Sequence, residues 1–310
     1  RTTFTNMINK FHHKGRIHAN INQLRSDSGG TVTGRFSYNN PNLQQIPAKD
    51  SVDAELKIGS LIRSLFLPEK KQKWGSFDYS QQEPRLVVHY ANKVGLEGSQ
   101  KLLDAYQNDK NTDFHTIMAE IAKIPRKSAK TINLGLFYGM GVGKLSDQLG
   151  IEPGEAKSLI NQYNERVPFV RQLADRVSDH AQKKGRVKTI LGRQCRFDLW
   201  EPKSFGAHKA YPYDKAVEEY GSNIGLKRAG TYKALNRLIQ GSAADQIKKA
   251  MVELYKEGVI PMIQIHDELA ISMENDSKKD KIIEIMENCL DMEIPSKVDL
   301  AIGNNWGEAK

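Results

Sequence analysis

Two periods of apolar and polar positions run through this 310-residue chain. A period of two marks strands. KKQKWGSFDYS reads as a strand ending at Asp78. VIPMIQI and the alternating ELAISM flank His266 and Asp267, the pattern of a tight β-hairpin with an acid at its turn. KVDLAIG reads as a last strand, and VKTILGRQCRFDL as a hairpin around Gly192 and Arg193. A period near 3.6 marks helices. QQEPRLVVHYANKVG starts one, with Pro84 in its first turn. Residues 99–124 read as two helices broken at NDKNTD, with Asp113 as an N-cap and His115 in the first turn. A helix follows over 126–140. The stretch from Ile151 predicts two helical segments parted near Pro168. Long helical structure is predicted from Leu226 onward, with Gly241 as a soft spot and Asn236 and Gln240 on one face. SKKDKIIEIMENCLD is an amphipathic helix, and LIRSLFL a short apolar element. Residues 1–25 have few apolar positions. Gly, Ser, Asn and Pro in SDSGGTVTGRFSYNNPNLQQIP mark loop and turn. Residues 200–225 are polar, aromatic and without period, which predicts an irregular surface insertion.

Charge narrows the partners. The chain has 46 Lys+Arg against 37 Asp+Glu, a net +9. That balance fits a polyanion, and equally a membrane surface or a merely soluble basic protein. No apolar run approaches a membrane span. Cys195 and Cys289 lack metal-type spacing, which suits a reducing compartment and no structural zinc. The first residue is Arg, and we expect a piece of a longer protein.

The candidate chemistry centres on RKSAKTINLGLFYGM. Arg126, Lys130, Leu134 and Tyr138 recur at four-residue steps along one helix face, over about 18 Å of rise. Two cations followed by an apolar and an aromatic side chain match a ligand that is anionic at one end and flat at the other, such as a nucleoside triphosphate. Gly135 and Gly139 allow close approach. An amphipathic helix with solvated cations is the plainer reading. Asp78 and Asp267, each at a strand end or turn, are ordinarily a cap and a turn residue. Together they can instead hold two divalent metals for in-line phosphoryl displacement, with magnesium the suited ion. Arg35 in TGRFS and the backbone amides of its glycine-rich loop would lie on a nucleic-acid strand or be solvated and inert, and Lys49 follows in IPAKD. Spacing alone decides neither DNA over RNA nor synthesis over hydrolysis.

FDYSQQEPR, RKSAKTINLGLFYG and QIHDE, in that order, resemble motifs A, B and C of family A DNA polymerases, the bacterial DNA polymerase I type. TGRFSYNNPNLQQIP and QGSAAD resemble two further segments of that family, and the QQEPR form looks phage-like. The resemblance runs from about Arg16 to the C-terminus. It implies an α/β (α+β) right-hand fold, with an antiparallel palm sheet and helical fingers. Residues 1–95 would begin the palm with motif A, 96–230 would form the fingers with motif B and the insertion, and 231–310 would complete the palm with motif C. The thumb and any exonuclease domain would lie outside this chain.

The implied reaction is templated addition of dNTPs to a primer 3′ end, with two Mg2+ ions (Mn2+ substituting) and release of pyrophosphate. Asp78 and Asp267 match the metal-binding aspartates, the Tyr79 backbone carbonyl a further ligand, and Glu268 a supporting acid. His115, Arg126 and Lys130 match triphosphate contacts, with Lys130 a candidate proton donor to pyrophosphate. Gln81 and Leu134 belong to the same nucleotide site. Tyr138 paired with Glu83 would exclude a ribose 2′-hydroxyl. Arg35, Asn236, Gln240 and His266 match residues facing the primer-template minor groove, where correct pairs share acceptors. The implied partners are primer-template DNA and dNTPs, in the cytoplasm of a bacterial or phage-infected cell, with no membrane. The insertion is expected to meet the template or a replication partner, or to be inert. Leu134 stands where most relatives carry Phe or Tyr, and Gln82 and Pro84 replace usual aliphatics, which touches the sugar gate. Three rivals are a single-subunit RNA polymerase, a two-metal nuclease and a non-catalytic nucleic-acid-binding remnant. Glu83 argues against the first. The 126–140 stripe argues against the second. Joint retention of Asp78, Asp267, Arg126, Lys130 and Tyr138 argues against the third.

Overall fold

A computed structural model describes residues 2–26, 29–47, 58–204, 206–274 and 276–309. Lys49 lies outside the described residues. The chain divides into two compact units, Arg1–Gln82 with Ala243–Lys310, and Glu83–Ser242. The divisions fall within the helices Gln82–Lys93 and Ala234–Lys256.

The first unit is built on one antiparallel sheet. Its strand order is Ile263–Ile265, Glu268–Met273, Lys73–Tyr79, Val298–Gly303. Lys73–Tyr79 is internal and pairs on both sides. Alternation sends Phe77 and Tyr79 to one face, where they pack with Leu269, Ile271, Ile247 and Met286. Trp74 faces the other way and stacks on Trp306, with ring centroids 5.8 Å apart. The strand runs one residue past the expected end. The Tyr79 amide donates to the Asp267 carbonyl at 3.2 Å, and its hydroxyl donates to the Met286 carbonyl at 2.5 Å.

Residues 1–25 hold more structure than their composition suggests. Thr2–Phe11 is a helix whose Phe4, Met7 and Ile8, at helical spacing, pack on the Trp74 side of the core. The Gly- and Asn-rich segment contributes a short strand pair, Asn20–Asn22 with Ser37–Asn39, and buries Tyr38, Leu43 and Ile46.

The second unit is mainly helical. Ser99–Asn108 and Phe114–Ala122 are parted as expected, and the Asp113 side chain caps the second by accepting from the Thr116 amide at 2.9 Å. Arg126–Tyr138 follows, then Val142–Leu149. Pro153–Arg166 and Pro168–Lys184 are split at Val167. The predicted hairpin forms from Arg186–Lys188 and Gln194–Arg196. Residues 200–225 are not irregular. They belong to a three-stranded sheet, Leu226–Arg228, Leu199–Pro202, Tyr211–Pro212, with a helix at Tyr213–Tyr220. Strands of two to four residues are too short to show a period, and their rings and cations pack on one another. The helix Ala234–Lys256 runs through Gly241 unbroken.

Candidate active site

In the first unit the sheet register gathers acids from distant parts of the sequence. Asp78 lies opposite Glu268 on one neighbouring strand and opposite Asp299 on the other. Asp267 is the second residue of the two-residue turn that joins Ile265 to Glu268. His266, the first, has φ of 53°, the left-handed value that a type II′ hairpin turn requires at this position. Such a conformation is strained for a side chain larger than glycine's. Gln264 holds the turn by donating Nε2 to the His266 carbonyl at 2.6 Å. The Tyr79 ring is turned into the core, so only its main chain shares the acids' side.

Burial, then the charges of Asp267, Glu268 and Asp299, pushes the Asp78 carboxyl well above the ordinary range. Lys297 pairs with Asp299 at 2.7 Å. Glu268 Oε1 is buried with no hydrogen-bond partner. The buried Arg63 guanidinium, held by the Pro47 carbonyl at 2.9 Å and lying over Trp306 at 4.1 Å, is pulled down by burial and back up by the charge of Glu268. Among the described residues, no three His, Cys, Asp or Glu side chains enclose a metal position. An acid cluster with an orphaned carboxylate oxygen has room for a further cation. Magnesium is commonly bound by one or two carboxylates together with substrate phosphates, so these residues fit it without a closed protein cage.

Asp299 and Arg63 were not found from the sequence. Neither carries a motif, and only strand register and core packing give them a role. Gln81 sits between the strand and the following helix with φ of 52°. Arg35 is half-buried, and its carbonyl accepts from Thr31 at 2.8 Å.

In the second unit, helix Arg126–Tyr138 starts at Pro125 and ends on Gly139, whose φ is 66°. It buries Ala129, Ile132, Asn133, Gly135 and Phe137. Arg126, Lys130 and Tyr138 are exposed and Leu134 is half-buried, so the predicted stripe is the outward face. Arg126 reaches Asp113 at 2.5 Å and Thr116 Oγ1 at 3.1 Å. Burial pushes the Asp113 carboxyl up, but hydrogen bonds from Arg126 and the Thr116 amide outweigh it, and the net shift is downward. The Tyr138 hydroxyl donates to Glu83 Oε2 at 2.7 Å, which is the predicted pair. Asn236 and Gln240 are half-buried one turn apart on Ala234–Lys256.

His115 is buried, and its Nδ1 lies 3.0 Å from Asn133 Nδ2. The Tyr163 hydroxyl donates to Asn133 Oδ1. With its oxygen engaged, the amide offers only N–H to the imidazole, so Nδ1 accepts and Nε2 carries the proton. Burial, then Lys130 and Arg126, lowers the His115 pKa to about 4 against a raising effect of Asp113. This imidazole is a neutral donor of fixed tautomer. Asn133 and Tyr163, which orient it, were missed because buried polar residues on helices look like ordinary core in a sequence.

The model of DNA polymerase family A matches residues 1–308. The chain is similar to a DNA-directed DNA polymerase of Pseudomonas phage M6, 37% identical over all of this chain and 49% of that protein. It is similar to the thermostable DNA polymerase I of Thermus filiformis, 31% identical over 96% of this chain and 33% of that protein. The POL domain of Pol1 from M. smegmatis, solved in complex with DNA primer-template and dNTP, superposes with a TM-score of 0.76 at 29% identity, covering 99% of this chain and 51% of that one. The chain thus spans about half or less of the length of these relatives.

Proposed function

The chain belongs to DNA polymerase family A, and from that we propose that it adds dNTPs to a primer 3′ end under the direction of a template, releasing pyrophosphate. The observation that carries this reading is the sheet register. It sets Asp78 against Glu268, beside Asp267, although the two motifs lie far apart in sequence. The first unit acts as palm and the second as fingers. Asp78, Asp267 and the Tyr79 carbonyl would hold two Mg2+ ions, with Glu268 supporting. When bound, such ions lower the pKa of an attacking hydroxyl and neutralise charge on the leaving phosphates.

The protein's own groups do the rest. Arg126 and Lys130 grip the triphosphate, and His115 Nε2–H donates a neutral hydrogen bond to a phosphate oxygen. Lys130 gives a proton to the departing pyrophosphate. Arg126 exchanges Asp113 for the nucleotide. Tyr138, held by Glu83, closes the space at the sugar 2′ position, and Leu134 gives contact area without a ring. Gln81 lies beside the nucleotide. Arg35, Asn236, Gln240 and His266 meet the minor groove of the primer-template end. Thumb helices outside this chain supply grip on the duplex, and the enzyme works in the cytoplasm.

Primer extension with magnesium and dNTPs tests this reading, with the Asp267→Asn variant and an rNTP lane alongside. Templated dNTP extension that is lost in the variant is the expected result. Magnesium-dependent binding of the correct dNTP without extension would assign the missing step to grip on the duplex. Neither extension nor binding would overturn the proposal in favour of a non-catalytic remnant.

A further inference from the structure

We propose that the small sheet and helix spanning 199–228 form a binding platform for single-stranded nucleic acid, which receives the unpaired template. The template identity rests on the polymerase reading, whereas the stacking site does not.

The register makes the platform. Arg228 is opposite Trp200, and Trp200 is opposite Tyr211. Directly paired residues share one face of a sheet, so a guanidinium, an indole and a phenol form a row across three strands. Arg228 lies 4.5 Å from the Trp200 ring and is anchored to the Phe197 carbonyl at 2.9 Å and the Gln182 carbonyl at 3.2 Å. It backs the indole and ties the sheet to helix Pro168–Lys184. Tyr213 meets Trp200 edge-on at 5.1 Å and is 53% exposed. At the other end of the row, Lys209 and Lys215 place their ammonium groups 5.3 and 5.2 Å from the Tyr211 ring. Tyr220 leans on Tyr211 at 6.1 Å, and its hydroxyl donates to the Lys209 carbonyl at 2.6 Å.

The surface continues toward the cationic helix. Gln182 donates to the Arg228 carbonyl and to Thr231 Oγ1, both at 2.7 Å. The next residue, Tyr232, is 61% exposed, and its carbonyl and ring lie 3.1 and 3.2 Å from where a Cβ at Gly139 would stand. The aromatic surface therefore reaches the end of helix Arg126–Tyr138 that carries Tyr138.

Flat rings interleaved with ammonium groups are what a single strand requires. Bases stack on the rings without regard to sequence, and phosphates take the cations. Residues 200–220 hold five aromatic residues in a chain that is 8% aromatic. A site for an apolar protein segment would expose aliphatic groups. Here the exposed aliphatics are Leu199 and Ile224, each 46%. Over 199–233 six Lys and Arg stand against Glu201, Asp214, Glu218 and Glu219, and Glu201 is itself paired with Lys227 at 3.7 Å.

Trp200 provides the readout. Trp74 and Trp306 are 1% and 0% exposed, so a quencher in solution reaches Trp200. A dT oligonucleotide of about 12 nucleotides, within the span of such platforms, is expected to quench its emission saturably, and less at high salt. Tyr213→Ala with Lys215→Ala should raise the Kd about tenfold, the scale of one lost stacked base. The pair Lys209→Ala with Lys215→Ala leaves every ring in place and should weaken binding with a shallower salt slope, which separates the site from a folding defect. Extension on a template with a two-nucleotide overhang should be unchanged in both variants, while affinity for long overhangs falls. No saturable quenching in the parent, or equal Kd values in parent and variants, would overturn the proposal. Quenching with neither extension nor magnesium-dependent dNTP binding would remove the polymerase reading and leave the platform standing.

Discussion

The Tyr163–Asn133–His115 chain gives a quantitative test. Asn133 and Tyr163 are 0% exposed and His115 is 6%. Alanine at 133 removes the acceptor of one buried hydroxyl and the donor to one buried ring nitrogen. Each orphaned group costs about 1–3 kcal/mol, so Asn133→Ala should lose roughly 2–6 kcal/mol before any cavity is counted. That is a large share of the ~5–15 kcal/mol that holds a domain folded. Tyr163→Phe leaves one orphan, Asn133 Oδ1, and should lose about 1–3 kcal/mol. The double variant has no hydroxyl left to orphan. It leaves only the His115 ring nitrogen orphaned, two groups fewer than the singles together, so its loss should fall short of their sum by about 2–6 kcal/mol. Urea unfolding followed by circular dichroism measures all three. The functional arm is separate: 15N shifts of His115 should report Nε2–H in the parent and a mixture of tautomers in Asn133→Ala, and the KM for dNTP should rise more than kcat falls. A stability change within about 0.5 kcal/mol, the size of a neutral surface change, or strict additivity in the double variant would refute the reasoning.

Three further outcomes are expected. His115 titrates near 4 when folded against an ordinary 6.5, so the unfolded chain takes up this proton first; stability should fall as pH drops from about 6.5 to about 4, and His115→Gln should flatten that part of the urea-midpoint profile. Leu134 has neither a ring nor a hydroxyl, so dideoxynucleotides should be used poorly beside dNTPs; equal incorporation efficiency in a competition assay would count against this. Glu83→Ala removes the acceptor of the Tyr138 hydroxyl, and ribonucleotide insertion relative to dNTP insertion should rise by roughly tenfold, the worth of one charge-assisted hydrogen bond of about 1.5 kcal/mol.

Legibility followed the range of the interaction. The strand at WGSFDY, the hairpin at IQIHDELAISM and the outward stripe of helix Arg126–Tyr138 depend on spacing within one segment, and the sequence carries that spacing. Asp299 acquires meaning only when Val298–Gly303 pairs in register with Lys73–Tyr79, and no local pattern encodes register. Arg63 is a cation on a short helix until it is seen buried over Trp306. Helix Thr2–Phe11 escaped because three apolar residues suffice for its inner face. The 200–225 segment escaped because its order comes from ring and cation packing across very short strands.

The internal strand Lys73–Tyr79 also has a history on the ribosome. Its partners, Glu268–Met273 and Val298–Gly303, are synthesised about 190 or more residues later, a wait of roughly 10–40 s at bacterial elongation rates. Throughout that interval both edges of a strand bearing Trp74 and Phe77 are unpaired. Glu83–Ser242 is one uninterrupted segment and can fold in the meantime. A newly made chain therefore completes its Glu83–Ser242 unit first and the acid cluster around Asp78 last. A holdase acting on the emerging N-terminal segment, or slow codons placed after residue 242, would change the yield of active protein without altering a single contact of the finished fold.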